Sequence, residues 1–188
     1  MQERLERRLQ ALPRGLREHT MRVRQIALEL ARHHGVDQER VALAALGHDI
    51  ARAMRGEELL ERAEAVGLTI HPVERSLPVL LHGPVGRHLL QHDEGLAEPE
   101  VLEAVHWHTT AQRDLGPVAK VIFLADKLDP HKAGRYPYLR VVRELAFRDL
   151  DAAMLEFLNH ELARFLERGH SIHPASVEAR NQLLLRGQ

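Results

Sequence analysis

At 188 residues the chain is long enough for one domain with a substantial buried core, and nothing in it suggests a second compact unit, so residues 1–188 read as a single domain. Basic and acidic residues nearly balance, 26 against 27 for a net charge of −1, which excludes an overall positive field for holding nucleic acid or an anionic membrane. The absence of cysteine excludes disulfides, thiolate metal sites and cysteine nucleophiles, so nitrogen and oxygen must hold any metal.

Apolar residues make up 44% of the chain but aromatic residues only 4%, and Ala and Leu fill the repeating apolar positions, which favours helices. No apolar run nears the roughly 18 residues that span a bilayer, and the opening MQERLERRLQ is charged where a signal peptide has its apolar core. A soluble, cytoplasmic protein without membrane or nucleic-acid partners is expected.

The first predicted helix runs from Leu16 to His34, with Val23, Ile26, Ala27, Leu30 and Ala31 at helical spacing and Gly35 placed to stop it. Asp37 is the expected N-cap of a second helix through Val41, Ala42, Ala45 and Leu46, ending near His48 and Asp49. A short amphipathic helix follows from about Glu57 to Val66. Pro72, Pro78 and Gly83 then predict an irregular connection between Gly67 and Pro84, with His82 just before a helix that starts near Pro84. Pro99 suits the first turn of a helix reaching Trp107 or His108, and Pro117 opens another with Val118, Val121, Ile122 and Ala125 on its apolar face. After Asp129-Pro130 the segment HKAGRYP reads as a basic turn. Amphipathic stretches Leu139–Phe147 and Leu150–Leu166 follow, then a last helix after Pro174. All clear periods lie near 3.6, and the expected class is all-α.

Fourteen histidines weaken the value of any one of them, and the dipeptide His-Asp occurs twice. His92-Asp93 lies in the polar QHDEGLAEPE, whereas His48-Asp49 ends the apolar VALAALGHDI. A charged Asp beside Leu46 and Ile50 is costly to bury unless paired or bound to a cation. His19 shares the apolar stripe one turn before Val23, opposite a charged face containing Arg17, Arg22 and Arg24. Asp126 falls on the buried side of its helix, four residues after Ile122. Alone, each reads as a packed polar residue. Together, His19, His48, Asp49 and Asp126 supply two imidazoles and two carboxylates to one bundle interior, which suits an open divalent-metal site. His82 and one of His106 and His108, about 200° apart on a helix, would add imidazoles for a second ion bridged by Asp49. Two such ions lower the pKa of a shared water, giving an activated hydroxide, and neutralise phosphate oxygens.

The order His19, His48-Asp49, His82, His108, Asp126 resembles the HD superfamily of metal-dependent phosphohydrolases. The segments REHTMRV, LAALGHDIA, LLHGPVG, HWHTT, LADKLDP and ERGHSIHP are similar to its YqeK-type branch of symmetrical diadenosine tetraphosphate hydrolases, over about residues 15–185. The resemblance implies an HD-domain helical bundle and a dinuclear site, with iron as the implied metal and Mn, Co, Ni or Zn compatible with the same ligands. It implies His19, His48, Asp49, His82, His108 and Asp126 as those ligands, and it selects His108 over His106. The implied reaction splits diadenosine tetraphosphate into two nucleoside diphosphates. Asp49 and Lys127 are the expected catalytic residues, and Thr109, Lys127, Lys132 and Arg135 the expected phosphate contacts. Two departures adjoin the ligands: Gly47 where the family usually has Leu, and Ala111 where it has Gly. An HD-type nucleotidase or phosphodiesterase acting on another nucleotide, and a non-catalytic metal- or nucleotide-binding sensor, are the alternatives. The expected partner is the nucleotide substrate, with a homodimer left open.

Overall fold

In the computed structural model, which describes residues 1–133 and 136–186 (side chains of Lys132 and Ala133 excepted), the 3.6-residue periods become helices, and no strand occurs among the described residues. In chain order the elements are α1 (Gln2–Gln10), α2 (Arg14–His34), α3 (Gln38–Gly47), α4 (Gly56–Ala65), α5 (Pro72–Ser76), a 3-10 turn (Pro78–Leu81) and α6 (His82–His92). Then come α7 (Pro99–Trp107), α8 (Pro117–Lys127), α9 (Pro130–Ala133), α10 (Leu139–Ala146), α11 (Leu150–Glu167) and α12 (Pro174–Arg186). The all-α expectation holds.

Local chemistry sets several boundaries. Gly35 ends α2 in the left-handed region at φ 65°, where glycine carries no Cβ penalty, and the Asp37 side chain accepts the Arg40 amide at 3.0 Å to start α3. Asp149 likewise caps α11, accepting the amides of Asp151 and Ala152.

Three sequence expectations need correction. Residues 67–84 are not irregular throughout: Pro72 and Pro78 each open a short helical piece, because a proline lacks the N–H that a first-turn residue leaves unused anyway. Consequently α6 begins at His82 rather than near Pro84, and His82 is its first residue. The basic turn after Asp129 contains the short helix α9. At the amino terminus α1 was not expected. Only Leu5 and Leu9 are buried in it, and its charged residues serve as ties, with Arg4 and Arg8 at 2.6 and 3.1 Å from the buried Glu94 carboxylate.

At the centre lies α8. Six consecutive residues, Val121 to Asp126, are buried, so this helix has no solvent face over that stretch, and it packs against α2, α3, α7 and α11. Around it close Val23, Ala27 and Leu30 of α2, Val41 and Ala45 of α3, and Val101 and Val105 of α7. The ends of α3, α7 and α8 and the start of α6 meet at one end of this core, beside the second turn of α2.

Two glycines show how closely these elements approach. A Cβ on Gly83 would lie 2.4 Å from the His106 carbonyl oxygen, so α6 and α7 touch backbone to backbone at the turn that carries His82. A Cβ on Gly47 would meet only the tip of Leu90 at 2.6 Å, so Leu90 occupies the space that a leucine at residue 47 would need. Ala111 has φ 60°, in the left-handed region where the Gly of related sequences is the easier residue.

Gly83→Ala should therefore destabilise the protein by about 1–3 kcal/mol in chemical denaturation, since backbone must move to admit the methyl. Gly47→Ala should cost clearly less, because a leucine tip can rotate away. Equal losses would refute this account of the α6–α7 contact.

Candidate metal centre

Each histidine of interest is oriented by what its Nδ1 touches. The Nδ1–H of His48 donates to the Ala45 carbonyl at 2.8 Å, that of His108 to the Val105 carbonyl at 2.8 Å, and that of His82 to the Val79 carbonyl. All three are contacts to residue i−3 at a helix end or in the 3-10 turn, where carbonyls have lost or loosened their helical partners. The Nδ1 proton thus serves the backbone, and the Nε2 lone pair is left to point inward.

His19 achieves the same tautomer differently. Its Nδ1 lies 2.6 Å from Asp129 Oδ2, and Arg22 grips the same carboxylate in a fork, Nε to Oδ1 and Nη2 to Oδ2, both at 2.9 Å. Burial would raise the Asp129 carboxyl, but Arg22, His19 and the His131 amide outweigh it and hold it well below the ordinary range. Sequence reasoning missed Asp129 and placed Arg22 on a charged outer face. The available signal was spacing: Arg22 follows His19, and Asp129 follows Asp126, by three residues.

The inward atoms form two groups. His19, His48 and Asp126 place one ligand atom each within 4.8 Å of one another, and so do Asp49, His82 and His108. Within the first, His19 Nε2 is 3.1 Å from Asp126 Oδ1. In the second, Asp49 Oδ1 is 3.2 Å from His82 Nε2 and 3.4 Å from His108 Nε2. Asp49 Oδ2 turns the other way, 3.7 Å from His19 Nε2 and 3.6 Å from His48 Nε2. One carboxylate therefore addresses both groups.

These contacts suit a cation better than they suit one another. His48 Nε2 is fully buried with no hydrogen-bond partner, an omission worth about 1–3 kcal/mol. His82 Nε2 and His108 Nε2 stand 2.9 Å apart, although both rings already carry their proton on Nδ1, so two lone pairs face each other. Burial lowers His48, and burial helped by His82 and His48 brings His108 down to about 4 against the pull of Asp49, so both rings are neutral bases. Burial would raise the Asp49 carboxyl, but His48, His108 and His82 more than reverse this and keep it ionised. His48 and His108 as neutral imidazoles and Asp49 as an ionised carboxylate are in the states a first-row divalent ion requires. At His19 burial is outweighed by Asp126, Asp129 and Asp49, which raise it, so this ring gives up a proton on binding one.

Lys127 and Thr109 border the groups. Lys127 Nζ donates to Asp126 Oδ2 at 2.7 Å and to the His108 carbonyl at 3.1 Å, which ties α8 to the end of α7 and leaves one of its three N–H bonds uncommitted. The Thr109 hydroxyl lies 3.3 and 3.2 Å from the Nε2 atoms of His82 and His108. Above the site opens a recess of about 560 Å³ that includes Lys127, Thr109 and the exposed Arg52. Arg135 lies outside the described residues, as does the side chain of Lys132.

Other histidines fall elsewhere. His106 belongs to neither group and lies tilted against Trp107, ring centroids 4.2 Å apart. His92-Asp93 is exposed, with Asp93 3.6 Å from Arg62 and His92 stacked on His88. His173 accepts the Ala175 amide at 3.2 Å and so helps to start α12.

With this geometry in view, the likeness to known proteins is specific. The family model for the HD domain matches residues 16–131. A symmetrical bis(5'-nucleosyl)-tetraphosphatase of Halalkalibacterium halodurans is 31% identical over 172 residues, covering 89% of this chain and 88% of its own. One of the same name from Bacillus subtilis is 29% identical over 166 residues, covering 88% of each. A crystal structure described as a predicted HD superfamily hydrolase involved in NAD metabolism, from Clostridium acetobutylicum, superposes with TM-score 0.92 at 28% identity over 98% of this chain and 97% of that one. Among the described residues, no helix is long and apolar enough to cross a membrane.

Two outcomes are expected. Titration with Mn²⁺ or Fe²⁺ should saturate near two equivalents and stabilise the fold by about 2.7 kcal/mol per site at a free concentration a hundredfold above Kd. Asp129→Asn should weaken the uptake about 10- to 100-fold while far-ultraviolet circular dichroism stays unchanged, because one neutral amide oxygen cannot serve both His19 and the Arg22 fork and no longer polarises the imidazole. Wild-type affinity in that variant would remove Asp129 from the site.

Proposed function

Because the chain belongs to the HD domain family, we propose that it is a metal-dependent phosphohydrolase that cleaves diadenosine tetraphosphate and related dinucleoside polyphosphates symmetrically, releasing two nucleoside diphosphates. The observation that carries this reading is Asp49, whose two oxygens face two separate His-rich groups at 3.2 to 3.7 Å. That arrangement suits two ions sharing one carboxylate, with His19, His48 and Asp126 on one and His82 and His108 on the other. The names of the relatives support the substrate, and the geometry supports the reaction class. Iron as the metal, a single domain over 1–188, a cytoplasmic location and action without membrane or nucleic-acid partners belong to the same reading.

When bound, two such ions would neutralise phosphate oxygens and acidify a water between them. The chain supplies the rest. The Nδ1 contacts orient four rings with Nε2 turned toward the two groups, so the rings need no reorientation when substrate arrives. Lys127 has one N–H left for a phosphate oxygen beside the groups, and Thr109 offers a hydroxyl at the same rim. Arg52 stands at the mouth of the recess, where a guanidinium can grip phosphate bidentately. A nucleoside diphosphate is a good enough leaving group that electrostatic stabilisation can dominate over proton donation.

The metal-loaded protein should convert diadenosine tetraphosphate to ADP alone, as read by chromatography. Asp49→Ala should lower turnover on the order of a thousandfold or more and reduce metal content in the same preparation. Release of AMP with ATP would overturn the symmetrical reading, and full activity in Asp49→Ala would overturn the site.

A further inference from the structure

Thr109 and Lys127 face two cavities. Besides the recess over the metal groups they border a second one, of about 600 Å³, walled by the end of α8, the segment that leads into α10, α11, the loop into α12 and the stretch from the end of α5 into the 3-10 turn. This volume lies in the range of small-molecule sites, roughly 300–1,000 Å³. Four of the chain's seven Phe, Tyr and Trp residues line it: Tyr136, Tyr138, Phe157 and Phe165. In a chain so poor in aromatic residues, the concentration of rings on one cavity rather than through the core marks that wall as distinct.

The wall is braced. Arg164 forks onto Glu161 at 3.0 and 2.5 Å, and the same guanidinium lies over the Tyr136 ring at 5.5 Å and the Phe165 ring at 4.8 Å. The Tyr138 hydroxyl donates to Glu161 at 3.4 Å. Among the described lining residues, apart from the histidines His170 and His173, only Lys127 and Glu161 are ionisable at neutral pH, and Glu161 is already neutralised by Arg164. What remains is one cation at the metal side and an uncharged aromatic far side. An anionic phosphate belongs beside Lys127. A flat, neutral heterocycle belongs among the rings, where stacking tolerates different bases.

We propose that this cavity holds one nucleoside end of the polyphosphate substrate, its base among Tyr136, Tyr138, Phe157 and Phe165 and its phosphates led past Thr109 and Lys127 to the metal groups. The inference rests on the phosphohydrolase reading and adds to it a base-binding half-site that the metal ligands do not include. It accounts for the double position of Thr109 and Lys127: they stand at the doorway where the nucleoside passes into its phosphate chain.

The test compares ADP with inorganic pyrophosphate, which shares the phosphates and lacks the nucleoside. Leu162, on α11, lines the cavity and belongs to neither metal group. In metal-loaded Leu162→Trp, which fills the cavity, calorimetry should show ADP affinity reduced at least tenfold and pyrophosphate affinity within twofold of wild type. ADP affinity within twofold of wild type would overturn the half-site. Should the variant misfold, hydrogen–deuterium exchange on the wild type decides: ADP but not pyrophosphate should protect residues 157–165, and equal protection by both, or by neither, overturns it. Wild-type turnover of diadenosine tetraphosphate, measured alongside, separates the two ideas. Turnover with an indifferent Leu162→Trp sinks the half-site alone, whereas ADP-specific effects without turnover sink the hydrolase reading and leave the half-site standing.

Discussion

The structure of the site depends on one repeated contact: an imidazole Nδ1–H donating to a carbonyl three residues earlier at a helix end. It occurs at His48, His82 and His108, and it solves two problems together. A helix end leaves carbonyls in need of donors, and a metal-binding histidine needs its second nitrogen occupied so that the first stays a base. The same proton answers both needs. His19, in the second turn of α2 where carbonyls already have helical partners, uses the Asp129–Arg22 pair instead.

That difference explains what could be read from the sequence. His48-Asp49 stood out because a charged pair ended an otherwise apolar helix, and Asp126 because it fell on a buried stripe. His82 and His108 had no comparable signal. Periodicity left His106 and His108 equivalent, and only resemblance to the HD family separated them. Asp129 was hard to read for a physical reason: its partners lie 110 and 107 residues away in the chain, so its three-residue spacing from Asp126 gains meaning only when the fold brings α2 beside it. Arg22 looked like surface because it shares a charged face with Arg17 and Arg24, and spacing alone does not show which of the three grips a buried acid.

The fold was legible where apolar stripes were long, as in α2, α8 and α11, and obscure where proline intervened. Pro72 and Pro78 look like interruptions in a linear reading but act as starts, which moved the beginning of α6 back to His82. The amino-terminal α1 went unseen because two leucines cannot announce a helix among seven charged or polar neighbours. Its attachment to Glu94 comes from the tertiary structure alone. Gly47 and Ala111, which depart from related sequences, have neighbours that account for the first and a backbone angle that makes the second a mild misfit.

The contact of α6 with the end of α7 at Gly83 carries a consequence for the geometry of the centre. His82 precedes that glycine by one residue, and His108 follows by two the residue whose carbonyl it touches. The interval between those two rings is thus gauged by a place where main chains meet without any side chain between them. The spacing works as a calliper whose jaws are backbone: side-chain variation across the core can change how firmly the helices are held, while the jaw opening stays set by the one residue type that has nothing to interpose.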